Sequence, residues 1–314
     1  MRLIYFGSAE FGLPSLKALH AEHHLICVIS QPDRPAGRGR KLTPTPIARW
    51  AHAAGVEVLK TANTNEASFV EQVAQKSAEA SVVIGFGQKL SKPLITAAGR
   101  LVINLHGSLL PKYRGAAPIQ WAMLDGERET GLSVISLSQT MDAGLIYAKA
   151  RTAIEPGETA GELHDRLALM GPQVIENVLS EFQVGTLQGE AQDESRASRA
   201  PKLSKADRTI HFDTTAESVR GRVHGLTPWP GAVVQWKCKA DDRRRPLVLR
   251  RVEARPGLGH DCNAGTVLLN ECVAVGDGAI RLLEVQLPGR RLLSIDEFIR
   301  GYALLPGDQL MSPS

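Results

Sequence analysis

Leu101-Val102-Ile103-Asn104-Leu105-His106-Gly107-Ser108-Leu109-Leu110-Pro111-Lys112-Tyr113-Arg114-Gly115 begins as an apolar run, turns polar at its end and passes into a loop punctuated by glycine and proline. A short apolar run bounded by turn residues reads as a buried strand that ends in a loop. Along an extended chain, side chains two apart share a face, so the Asn104 amide and the His106 ring can converge on one small polar group. The same pair could do no more than satisfy backbone groups at a strand-to-loop junction. A second run, Leu132-Ser133-Val134-Ile135-Ser136-Leu137, leads to Met141-Asp142-Ala143-Gly144, a carboxylate near a turn glycine. In open α/β sheets ligands bind outside the carboxyl ends of strands, so the two runs are expected to deliver Asn104, His106 and Asp142 to one rim.

Working outward, strand-like runs alternate with helical stretches through the first two hundred residues: Leu3 to Phe6, then Leu13 to His23; Leu25 to Ile29; Val56 to Leu59, then Glu66 to Lys76; Val82 to Phe86; Leu101 to Leu105. This is an α/β pattern of the doubly wound, Rossmann-like kind. Gly7-Ser8-Ala9-Glu10-Phe11-Gly12 follows the first run, but it lacks the middle glycine of Gly-x-Gly-x-x-Gly, and Leu13-Pro14 stands where a Walker loop needs Lys-Ser/Thr. Neither a dinucleotide nor a nucleoside triphosphate is implied. Thr159 and Glu162 form a capping box that opens a long helix through about Phe182. The sequence then turns polar and loses its period. We therefore expect a first domain over residues 1–189, a linker over 190–207 and a second domain over 208–314. In the second domain, short strands such as Ala232 to Cys238, Leu247 to Val252, Gly265 to Leu269 and Ile280 to Val285 favour a small OB-like β-barrel, with helices near Ala216 to His224 and Ile295 to Tyr302.

Composition narrows the class. With 43% hydrophobic and 22% charged residues the chain is ordinary for a soluble globular protein, and no run approaches the roughly 18 apolar residues that cross a bilayer. A cytoplasmic protein without a membrane segment is expected. Cys27, Cys238, Cys262 and Cys272 include no Cys-x-x-Cys pair, and His260 beside Cys262 fits no zinc spacing, so reduced thiols and no metal are expected. The net charge of +4 resides in the C-terminal part: residues 1–200 balance 20 cations with 20 anions, whereas 201–314 hold 17 against 13. Four cations, Arg34, Arg38, Arg40 and Lys41, also crowd the loop Gln31 to Lys41 among glycines and prolines. That loop is read either as a phosphate or RNA contact that orders on binding or as a solvated surface loop.

Taken together, Phe6-Gly7-Ser8-Ala9-Glu10-Phe11, the Gln31 to Lys41 loop, Asn104-x-His106-Gly-Ser-Leu-Leu-Pro-x-Tyr-Arg-Gly-Ala-Ala-Pro118, Asp142-x-Gly144, Lys202-Leu-Ser-Lys205 and Pro228-Trp-Pro230 resemble the 10-formyltetrahydrofolate-dependent formyltransferases, nearly end to end. Asn-x-His with a later Asp-x-Gly is shared across that family and implies the chemistry. The basic loop and C-terminal barrel are similar to those of the members that act on initiator methionyl-tRNA, and imply the acceptor. By resemblance, Asn104, His106 and Asp142 are catalytic; Ser108, Leu109, Leu110, Pro111, Phe86, Gly87 and Gln88 wall the folate pocket; Arg34, Arg38, Arg40 and Lys41 meet the tRNA. Read from the residues alone, the leucines could equally be core. The chain departs from the family where Ser138 and Leu145 replace acidic residues that often flank the catalytic Asp-x-Gly. Two other readings stand beside this one: a formyltransferase for a small amine such as an amino sugar, and a noncatalytic RNA-binding protein. A monomer is expected, since no self-complementary apolar stripe is visible.

Overall fold

The computed structural model describes residues 1–37, 39–239, 242–259 and 261–313. The chain forms two compact units. The first comprises Met1–Gly115, Gly131–Thr152 and His164–Arg199, the second Ala116–Thr130, Ala153–Leu163 and Ala200–Ser314.

The first unit is built on a seven-stranded sheet of β1 (Arg2–Gly7), β2 (His24–Ser30), β3 (Glu57–Lys60), β4 (Ala80–Ile84), β5 (Leu101–His106), β6 (Glu129–Ser136) and β7 (Ile146–Ala153), in the order β7-β6-β5-β4-β1-β2-β3. The five strands from β5 to β3 pair in parallel. Ile4, Phe6, Val82, Ile84 and Ile103 are buried whichever face they occupy, as continuous apolar runs require in a parallel sheet covered on both sides. The strands alternate with helices whose starts are written locally. Thr45 Oγ1 accepts from Ala48 N at 3.0 Å with Pro46 in the first turn, so Pro46–Ala53 is helical, and Ser91 caps Lys92–Ala97 the same way with Pro93. The capping box is present: Thr159 N donates to Glu162 Oε2 at 2.8 Å, and the helix runs Ala160–Val184.

One strand departs from the expected pattern. β6 pairs antiparallel with β5, His106 facing Ser133 and Ile103 facing Ser136. The carboxyl end of β6 therefore points away from the rim that holds His106, and Asp142 can reach that rim only if the loop 137–144 folds back.

In the second unit a six-stranded antiparallel sheet runs Cys272–Val275, Gly278–Gln286, Arg244–Pro256, Ala232–Lys237 and Gln309–Met311, with Leu292–Ser294 beside Gly278–Gln286. The segment read from sequence as a strand from Gly265 to Leu269 is instead a strap between the two outer strands. Leu310 N donates to Gly265 O at 2.8 Å on one side, and Gly265 N donates to Ala274 O at 2.8 Å on the other. Gly265 has φ +85°, and a Cβ there would stand 2.2 Å from Leu310 O, so only glycine fits. The strap nearly closes a barrel filled by Trp236, Phe298, Val234, Ile280 and Leu282. Helix Ala216–Gly225 lies close against helix Pro118–Leu124, where a Cβ on Gly221 would stand 2.8 Å from Met123 O. Among the described residues no helix is long and apolar enough to cross a membrane.

Candidate active site

β5 carries Asn104 and His106 to its end on one face, and Val83 of β4 sits in register beside Asn104. His106 is only 6% exposed. Its ring is set by the loop that follows. Ser133, opposite His106 on β6, donates from Oγ to Ser108 O at 2.8 Å and accepts from Leu110 N at 3.0 Å. Ser108 Oγ donates to Lys112 O at 2.7 Å, and Tyr113 N donates to Ser198 Oγ at 2.9 Å. These bonds hold Tyr113 at φ +63°, where its carbonyl meets His106 Nε2 at 2.8 Å. A carbonyl only accepts, so Nε2 carries a hydrogen, and Nδ1 is the nitrogen left to face the site.

Asp142 faces that nitrogen. The loop 137–144 returns to bring Asp142 Oδ2 to 3.7 Å from His106 Nδ1, a pair that is ionic when the ring is charged. The returned loop is pinned at several points. Asp142 Oδ2 accepts from Gly115 N at 2.9 Å, and Gln192 Nε2 donates to both Asp142 O and Gly144 O at 2.8 Å. Gln192 Oε1 in turn accepts from Arg114, which also forks onto Glu194 at 2.7 and 2.9 Å. Those hydrogen bonds raise the affinity of Arg114 for its proton and lower that of the Glu194 carboxylate, so both remain charged. The Asn104 side chain is half-buried and has no hydrogen-bond partner among the described residues. The site thus offers a free amide donor and a ring nitrogen beside a carboxylate, around one rim.

Other expected residues fall into place unevenly. The segment Phe86-Gly87-Gln88 leaves the sheet from β4, beside the end of β5, but its side chains are occupied. Phe86 is buried with its ring edge-on to Phe6 at 5.6 Å, and Gln88 donates to Thr61 O at 3.0 Å and accepts from Thr64 N at 3.1 Å. Leu110 packs into a small core with Ile135 and Ile146, and Ser108 is fully buried. Leu109 and Pro111 are half-buried. The basic loop leaves the end of β2 and is a two-stranded ladder, Arg34–Ala36 against Lys41–Thr43, rather than an unstructured segment. Arg34, Arg40 and Lys41 are exposed along it, and Arg38 lies outside the described residues. Ser138 bonds the Thr140 carbonyl, and Leu145 N donates to Ser136 Oγ at 2.9 Å, so these two positions close the hairpin that carries Asp142.

Sequence reasoning missed Gln192, Ser198 and the Tyr113 carbonyl. The first two lie in the polar stretch read as a linker, where Glu190 pairs with Ile146 and Arg199–Ala200 with Arg114–Gly115. Hydrogen bonds of this kind leave no period in the sequence.

The model of the formyl transferase family matches residues 1–179, and that of the formyl transferase C-terminal domain matches residues 202–303. A methionyl-tRNA formyltransferase of Thermus thermophilus is 38% identical over 312 residues, covering 99% of both chains. One from Halothermothrix orenii is 36% identical over 320 residues, covering 99% of this chain and 100% of that one. Among solved structures, an N-formyltransferase from Helicobacter canadensis in complex with folinic acid and dTDP-3-aminofucose superposes with a TM-score of 0.67 at 15% identity, over 91% of this chain and 98% of that one. At that identity the likeness speaks for the fold alone. By family model and by full-length relatives, the chain belongs to the formyl transferase family, alongside the methionyl-tRNA formyltransferases.

Proposed function

We propose that the protein transfers the formyl group of 10-formyltetrahydrofolate to the amino group of methionine on initiator methionyl-tRNA. The amine nitrogen attacks the formyl carbon, a tetrahedral oxyanion forms, and the bond from that carbon to N10 breaks as N10 gains a proton and the amine loses one. Asn104 Nδ2–H and His106 Nδ1–H donate to the developing oxyanion, each worth roughly 3–4 kcal/mol of barrier by analogy with single oxyanion donors. Asp142 orients the ring, stabilises its charge and takes the amine proton, directly or through water. The observation that carries this reading is the division of the imidazole: Nε2 is committed to the Tyr113 carbonyl, which leaves Nδ1 with Asp142 for chemistry.

In this reading Phe86 to Gln88 and Ser108 to Pro111 meet the folate through their backbone groups, since Phe86, Gln88, Ser108 and Leu110 have their side chains engaged elsewhere. Arg34, Arg38, Arg40 and Lys41 meet the acceptor end of the tRNA by phosphate contacts that position it without reading sequence. Residues 1–189 act as the catalytic domain, 190–207 as the linker and 208–314 as the tRNA-binding domain of a cytoplasmic monomer. The test is formyl transfer from 10-formyltetrahydrofolate to charged initiator methionyl-tRNA, beside uncharged tRNA and free methionine, by acid-gel mobility. Formylation of the charged tRNA alone supports the assignment; transfer only to small amines such as amino sugars refutes it.

A further inference from the structure

Two loops of the first unit, one proposed above for the acceptor and one for the donor, share a side chain. Gln31 stands at the foot of the basic ladder. Its Nε2 donates to Phe86 O at 2.8 Å, and its Oε1 accepts from the Arg34 guanidinium. Its backbone is fixed as well, with Gln31 N donating to Ser8 Oγ at 3.1 Å, while Ser8 N donates to Gly85 O at 3.3 Å. The donor loop is shaped around this amide. Gly87 has φ +80°, a conformation that side-chain-bearing residues rarely adopt, and a Cβ there would lie 2.6 Å from Gln31 Nε2 and displace this amide. A second tie, Lys60 Nζ to Asp33 Oδ1 at 2.7 Å, fastens the same foot to the end of β3. Arg34 thus lies exposed on the ladder beside Arg40 and Lys41 and at the same time ties the ladder's foot to Gln31.

We infer that Gln31 is a positioning residue that couples the two substrate loops, so that ordering of either loop by its substrate strengthens binding at the other. This rests on the substrates proposed above. One amide bonded to both loops makes their positions interdependent. Thermodynamic linkage then requires the effect to be reciprocal.

The experiment measures the dissociation constant of 5-formyltetrahydrofolate, a folate that carries no transferable N10 formyl group, by calorimetry with and without saturating initiator methionyl-tRNA. The wild-type protein is expected to bind it about fivefold or more tighter in the presence of the tRNA. Gln31→Leu removes both bonds. Gln31→Glu keeps an acceptor for Arg34 but cannot donate to Phe86 O. Both variants should still bind each ligand alone, with the coupling reduced to about twofold or less. Arg34→Lys, which retains a donor to Gln31, should keep it. Coupling unchanged in Gln31→Leu, or absent from a wild-type protein that binds both ligands and formylates methionyl-tRNA, overturns the inference while leaving the function intact. A wild-type protein that formylates no methionyl-tRNA overturns both.

Discussion

Acidification from pH 7 to pH 5 should weaken the second unit through one buried histidine. His224 is fully buried, its Nε2 accepts from Val252 N at 3.1 Å, and its Nδ1 has no hydrogen-bond partner among the described residues. Burial pushes its pKa from 6.5 down to about 4, with the cations of Arg220 and Arg251 acting in the same direction and Glu162 opposing. Because the folded value lies below the unfolded one, the unfolded chain takes up the proton first as pH falls. The stability His224 contributes is present above about pH 6.5 and is lost progressively towards pH 4, on the order of 3 kcal/mol in all and about 2 kcal/mol between pH 7 and pH 5. The other strongly shifted acid of this unit does not blur that window. Hydrogen bonding to Arg251 lowers the pKa of Glu162 to about 2, so its share is lost only below about pH 4.5, and its exposure to solvent keeps that share small.

His224→Gln retains an oxygen able to accept from Val252 N but does not titrate. The assay is urea unfolding at pH 7 and pH 5, followed by tryptophan fluorescence in a Trp50→Phe background. The remaining tryptophans, including the buried Trp236, then report on the second unit alone. The wild-type unit should lose about 2 kcal/mol more than the variant across that interval. Equal losses in the two proteins would refute the reasoning, because histidines exposed in both cancel in the comparison.

Further outcomes follow from the first unit and from one helix contact. Asn104→Ala and His106→Ala should each lower kcat for formyl transfer about 100-fold or more while tRNA affinity measured by filter binding stays unchanged. Gln192→Ala removes the donor to the Asp142 and Gly144 carbonyls and should lower kcat about tenfold with little change in melting temperature, read by steady-state kinetics beside calorimetry. Arg38→Ala should raise KM for methionyl-tRNA with folate affinity kept, the reverse emphasis of His106→Ala. Gly221→Ala forces a Cβ to 2.8 Å from Met123 O and should cost about 1–3 kcal/mol in denaturant unfolding of the second unit.

The parts of the fold written in sequence are those that depend on local rules. Apolar runs such as Leu3 to Phe6 and Leu101 to Leu105 marked central strands, and the Thr159–Glu162 box placed the start of the long helix. The edge strand β7 passed unread because Ile146-Tyr-Ala-Lys-Ala-Arg-Thr-Ala is mostly exposed or half-exposed and carries little apolar signal. Three short helices, Pro46–Ala53, Lys92–Ala97 and Pro118–Leu124, were missed because each spans about two turns and has a proline in its first turn, which reads equally as a loop. The direction of β6 is a matter of partners rather than of residues, so the expected common rim for Asp142 had the right neighbours by the wrong route. Asn104 and His106 could be paired from spacing alone. The division of labour between the two imidazole nitrogens could not, since it depends on one backbone carbonyl at a positive φ.

The strap Gly265–Leu268 has a consequence for how the protein behaves in a crowded solution. A strand at the margin of a sheet exposes a row of unmatched amides that another copy can extend into a shared sheet. Here both margins, Cys272–Val275 and Gln309–Met311, spend part of that row on the same strap through Ala274 and Leu310. The conformational freedom of one glycine thus removes a template for intermolecular β-pairing. Replacing Gly265 should show itself first as concentration-dependent aggregation rather than as loss of secondary structure.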